Sequence, residues 1–238
     1  MEQTPDVRTI ETAVHGRYLV RVPQTPGPWP ALVTFHGYGE DAATNLAAVE
    51  RIPGIDDWLI VSVQALHPFY TKNQRIVASW MTRQDRELAI ADNIGYVQAV
   101  IDAVVREFPQ TTALVFAGFS QGVAMAYRAA AHLTAVGVIA LAGDLPPDVP
   151  ARPRSAPTGP LPHVLVGRGR TDTWYTEESM TADVARLNDL AASVETCVFD
   201  GGHEWTDVFA AAAGAFLMRL RTAPWFAVLP PLRPRVKP

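Results

Sequence analysis

The chain has 238 residues, 48% of them hydrophobic and 18% charged, with a formal net charge of −4. That balance suits one α/β domain with a substantial core, and an acidic chain without a basic run argues against nucleic acid as a partner. Cys197 is the single cysteine, which excludes an intrachain disulfide or a cysteine-built metal cluster and suits a reducing compartment.

The opening MEQTPDVRTIETAV lacks the charged-then-apolar pattern of a signal peptide. No stretch approaches the roughly 18 apolar residues of a membrane span, so a soluble, cytoplasmic protein is expected. TIETAV (9–14) and RYLVRV (17–22) flank His15-Gly16 and read as an antiparallel hairpin within residues 1–30. Six apolar runs then predict core strands: ALVTF (31–35), WLIVSV (58–63), ALVFAGF (113–119), VGVIAL (136–141), HVLVG (163–167) and VETCVF (194–199).

Between these runs, Ile90, Ile94, Val97, Ile101, Val104 and Phe108 recur at helical spacing and mark one apolar helix face over 84–107. Residues 176–192 predict a surface helix, on which Glu177, Glu178, Asp183 and Asp189 read as solvated charges. Residues 206–220 predict a closing helix. Alternating strands and helices make a mainly parallel α/β sheet with helices on both faces, and the chain reads as one domain over 1–238.

Three segments carry no clear period. Residues 67–80 and 145–160 follow strand ends on the face where open α/β sheets bind ligands. The second of these, LPPDVPARPRSAPTGP, is too proline-rich for a large amphipathic lid, so an open cleft is expected. Residues 222–238 form a proline-rich tail expected to wrap the surface.

Gly118-Phe119-Ser120-Gln121-Gly122 fits G-x-S-x-G, with an apolar run before it and an alanine-rich helical run after it. At such a strand-turn-helix elbow the serine backbone is strained and its surroundings are too crowded for side chains at the flanking glycines. The hydroxyl is lifted clear of the sheet, towards the N–H groups of the following helix. Serine is a weak nucleophile without a base, and hydrolases built on this elbow take acid and base in the order Ser, Asp or Glu, His.

Of six histidines, His15, His36 and His67 precede the serine, while His132 and His163 sit at unsuitable positions on their elements. His203, after Gly201-Gly202, remains as the base. Asp172 is favoured as the acid, with Asp144 as the competitor; Asp200 is too close to His203 in sequence. One oxyanion donor is expected from the Gln121 N–H, and the other from the Tyr38 N–H in the glycine-flanked turn after 31–35. His36 reads as a hydrogen-bonding group of that turn, since no partner ligands for a metal accompany it. Trp80, Trp174 and Trp205 lie near strand ends and are candidates to line a substrate pocket.

In FHGYGE (35–40), AGFSQGVAMA (117–126), GRGRTDTWYT (167–176) and DGGHEW (200–205), the chain resembles the α/β-hydrolase superfamily. Within it, the nearest group is the phospholipase/carboxylesterase serine esterases, related to acyl-protein thioesterases and dienelactone-hydrolase-like enzymes. The resemblance implies a Ser120–Asp172–His203 triad, an oxyanion hole at Tyr38 and Gln121, and ester hydrolysis through an acyl-enzyme without metal or organic cofactor. Trp174-Tyr175 after the acid departs from the group's usual pattern. A short- to medium-chain soluble ester is the expected substrate. A thioesterase or lysophospholipase, a peptidase of the same fold and a catalytically inactive binding protein are the alternatives.

Overall fold

The computed structural model describes residues 6–149, 162–190 and 193–234. Its centre is a seven-stranded sheet built from β1 (Arg17–Arg21), β2 (Trp29–Phe35), β3 (Leu59–Gln64), β6 (Thr111–Phe119), β7 (Gly137–Leu141), β8 (His163–Gly169) and β9 (Val194–Phe199). The strand order is β1-β3-β2-β6-β7-β8-β9. Every neighbouring pair is parallel except β1, which runs antiparallel to β3. A separate hairpin joins β4 (His67–Tyr70) to β5 (Ile76–Ser79).

Five α-helices cover the sheet: α1 (Ala42–Val49), α2 (Arg86–Glu107), α3 (Gln121–His132), α4 (Glu177–Asp189) and α5 (Asp207–Thr222). Alternation along the buried strands divides the core between two faces. Val33, Leu59, Phe116, Val138 and Val166 pack with α2, α3 and α4, whereas Leu32, Ile60, Val115, Ile139 and Leu165 pack with α1 and α5. All six predicted core strands are present; the five nearly uncharged apolar runs form strands buried on both sides, whereas β9, which carries Glu195 and Thr196, is the half-exposed edge.

Two expectations are corrected. Residues 9–14 form no strand, and Ile10 and Val14 are exposed; β1 pairs with the free edge of β3 and not with a hairpin partner. Residues 67–80 are no irregular loop but carry the β4–β5 hairpin, closed by the Thr71 N–H donating to the Arg75 carbonyl (2.9 Å). Also contrary to expectation, α2 is long and apolar enough by length and composition to cross a membrane. In this fold its Val97, Val100, Ile101, Val104 and Val105 are buried against the sheet. The lid expectation over 145–160 falls mostly on residues outside those described.

The order reverses at β2, which has β3 on one side and β6 on the other. The chain leaves β2 and β6 at this switch point, where parallel sheets open a crevice beyond their carboxyl ends. The tail folds back over the opposite end of the sheet, with the Leu232 N–H donating to the Thr111 carbonyl (2.7 Å) and its side chain packed on the core.

Candidate active site

Ser120 stands between the end of β6 and the start of α3, with φ 51° and ψ −119°, a backbone conformation that costs a side-chain-bearing residue about 1–3 kcal/mol. The elbow is over-determined by its surroundings. A Cβ on Gly118 would lie 2.4 Å from the Gly122 carbonyl oxygen, and one on Gly122 would lie 2.1 Å from the Phe35 carbonyl oxygen. The glycines therefore let α3 descend onto β6 and β2 together. The Ser120 N–H donates to the Leu141 carbonyl (2.9 Å), tying the turn to β7.

The His203 ring meets this hydroxyl, with Nε2 2.8 Å from Ser120 Oγ. Its Nδ1 lies 2.8 Å from Asp172 Oδ2. An ionised carboxylate only accepts, so Nδ1 carries the proton and Nε2 is left to accept from the serine hydroxyl. Asp172 Oδ1 accepts the backbone N–H groups of Trp174 (2.8 Å) and Tyr175 (3.1 Å), and the Asp172 side chain is fully buried. Asp172 thus has both oxygens committed and one orientation.

Asp144 is near but apart. It lines the same cleft, where burial pushes its carboxyl above the usual range, and it makes no hydrogen bond or ion pair with His203 among the described residues. Asp200 is exposed and pairs with Arg170 (3.0 Å).

The turn after β2 is built on His36 and Glu40. His36 is fully buried; Nδ1–H donates to the Gly37 carbonyl (2.6 Å), and Nε2 accepts the Ala65 N–H (3.1 Å). Burial lowers its pKa, keeping the ring neutral. Glu40 accepts the Gly37 N–H (2.8 Å), and burial raises its pKa, with His203 close enough to oppose that rise. The Gly39 N–H is taken by Ala78 and the Glu40 N–H by Gly37. The Tyr38 N–H makes no hydrogen bond among the described residues.

The Gln121 side chain holds the facing wall. Oε1 accepts the Trp80 N–H (2.9 Å) and Nε2 donates to the Met81 carbonyl (3.0 Å), pinning the exit of β5 beside Ser120.

The cleft above Ser120 has a volume of about 360 Å³. Met81, Leu145, Pro146, Pro147 and Trp174 give it apolar walls, and Arg86 and Asp144 add charge. Trp174 lies in the cleft wall and is 81% exposed. The other two tryptophans are corrections. Trp80 is fully buried beside the turn after β2, its Nε1–H donating to the His36 carbonyl (2.8 Å). Trp205 packs edge-on against Phe209 of α5. Both lie near strand ends, but their rings turn into the core.

Asp183 is also corrected. It is half-buried and accepts the Leu145 N–H (2.9 Å) and the Tyr175 hydroxyl (3.1 Å). Its spacing on an amphipathic helix gave no sign of either partner. Glu40 closes the FHGYGE stretch, where its residue type alone suggests no role, and only the folded turn supplies one.

The phospholipase/carboxylesterase family model matches residues 21–217. No curated protein sequence matches the chain. Among solved structures, a Mesorhizobium loti carboxylesterase is similar with a TM-score of 0.70 at 19% identity, covering 85% of this chain and 94% of that one. The Bacillus cereus carboxylesterase follows with a TM-score of 0.68 at 16% identity, covering 86% and 94%. Zea mays acyl-protein thioesterase 2 has a TM-score of 0.67 at 18% identity, covering 87% and 99%. At these identities the neighbours establish the fold, while the family match, spanning both Ser120 and His203, establishes the relationship. The chain belongs to the phospholipase/carboxylesterase family and is a hydrolase of the α/β-hydrolase fold.

Proposed function

We propose that the protein is a serine carboxylesterase acting on short- to medium-chain soluble esters, with Ser120 as nucleophile, His203 as base and Asp172 as acid. The observation that carries this reading is the unbroken pair of 2.8 Å contacts from Ser120 through His203 to Asp172 at the floor of an open cleft. Ser120 Oγ attacks the ester carbonyl while its proton passes to His203 Nε2, and Asp172 steadies the imidazolium. The carbonyl oxygen becomes an oxyanion held by the Tyr38 and Gln121 N–H groups. Collapse breaks the bond to the alcohol oxygen, which takes the proton from Nε2 and leaves. Water, giving its proton to the same nitrogen, then attacks the acyl-enzyme; the tetrahedral adduct collapses, Ser120 Oγ recovers that proton, and the carboxylic acid departs.

The cleft volume sits near the lower end of the range for small-molecule sites, which supports compact substrates. A fluorophosphonate should label Ser120 stoichiometrically, and p-nitrophenyl esters should turn over with a preference for short or medium acyl chains. Labelling with amide turnover alone would identify a peptidase. Faster turnover of matched thioesters would identify a thioesterase. Absence of labelling with intact ligand binding would identify an inactive relative.

A further inference from the structure

The wall of the cleft opposite Met81 is the segment after β7, residues 144–149, of which Asp144, Leu145, Pro146 and Pro147 face the site. This segment cannot hold itself. Two prolines remove two backbone donors, and a single internal bond, from the Val149 N–H to the Pro146 carbonyl (3.2 Å), lies within it. Four of its six carbonyls are gathered by one side chain from α4. Arg186 Nη1 donates to the Leu145 and Pro146 carbonyls (3.2 and 3.0 Å), and Nη2 donates to those of Pro147 and Val149 (3.3 and 3.0 Å).

One turn earlier on α4, Asp183 Oδ2 accepts the Leu145 N–H (2.9 Å) and the hydroxyl of Tyr175 (3.1 Å), whose own N–H donates to Asp172 (3.1 Å). The far end of the segment is fixed from α3. Arg128, 1% exposed, donates through Nε and Nη2 to the two oxygens of Asp148, both at 2.7 Å, and its Nη1 lies 3.7 Å from Met81 Sδ on the facing wall. A forked guanidinium with five donors suits both tasks, and an ammonium cannot span four carbonyls.

We propose that Arg186 and Asp183 of α4, with Arg128 of α3, are positioning residues that set the shape of the 144–149 wall and thereby determine which esters the cleft accepts. None of the three touches Ser120 or His203 among the described residues, so their effect falls on substrate fit and not on nucleophile activation. This inference rests on the esterase reading of the cleft.

The experiment compares wild type with Arg186→Ala, Arg186→Lys and Asp183→Asn over p-nitrophenyl esters of increasing chain length. It measures in parallel the rate of Ser120 labelling by a small fluorophosphonate and the hydrogen exchange of residues 144–149. The expected result is a rise of about tenfold or more in KM for the esters wild type prefers, a flattened chain-length profile and faster exchange at Leu145, while labelling stays within about twofold. If Arg186→Ala does not fold, Arg186→Lys decides. An unchanged chain-length profile, or unchanged exchange of the segment in a folded variant, overturns the proposal. A wild type that neither labels nor hydrolyses esters overturns the esterase reading, and the exchange data then still decide whether the clamp holds the wall.

Discussion

His36 is a buried base held within the turn after β2, and it leaves a signature in stability. Burial depresses its folded pKa below the ordinary value of 6.5, so below that pH the unfolded chain binds a proton that the folded one refuses. Stability from this residue is complete above about pH 6.5 and is lost as pH falls towards the lowered folded value. Urea midpoints from pH 7.5 down to 5 should fall for wild type and fall less for His36→Gln; parallel curves would show that the ring does not carry the effect. At Asp172, replacement by Asn puts an amide where the Trp174, Tyr175 and His203 N–H groups all donate. With the imidazole then favouring the wrong tautomer, kcat should drop by about 10³- to 10⁴-fold with the fold intact, read by steady-state kinetics beside circular dichroism. Gln121 has a second duty beyond its backbone N–H. Gln121→Ala unpins Trp80 and Met81 and should lower unfolding free energy by about 1–3 kcal/mol, measured by denaturant titration.

The elbow is the element in which sequence and structure agree most closely, and the reason is steric. A serine between two glycines at a strand-helix junction suits few geometries besides a crowded turn, and the contacts at Gly118 and Gly122 are with backbone, which cannot move aside. Gly122→Ala should therefore destabilise by more than about 3 kcal/mol, seen as loss of soluble protein or a collapsed melting transition. The hairpin at 67–79 was less legible because its closure depends on Gln74 at φ 60°, a conformation that residue type does not announce. Residues 9–14 alternate like a strand, but alternation says nothing about whether a sheet edge is free to receive them. The tryptophans misled for a related reason: nearness to a strand end places a residue beside the cleft without saying which way its ring turns. The joint task of Asp183 and Arg186 was hidden because their partners, the Leu145 N–H and four carbonyls, belong to a segment about 40 residues away in sequence.

At the scale of the whole molecule, order along the chain is enough to bring Ser120, Asp172 and His203 to one side, since parallel strands connected through helices all release their chains at one end of the sheet. Ser120 follows β6, Asp172 follows β8 and His203 follows β9, so three segments distant in sequence meet at one end of the β6-β7-β8-β9 half of the sheet. The tail contributes at the other end. Removing residues 230–238 takes away the Leu232 contacts and should lower the melting temperature by a few degrees, with ester kinetics unchanged. A larger kinetic than thermal effect would contradict this.

Leu232 clasps the first residue of β6, and Ser120 follows its last, so the nine-residue strand holds the two about 30 Å apart. A surface tether or fusion partner attached at Leu232 would accordingly leave the protein standing with its cleft turned outward. Immobilised in that orientation, the enzyme should keep its cleft accessible to dissolved small molecules, whereas attachment through Lys72 on the β4–β5 turn would bring the support nearer the cleft.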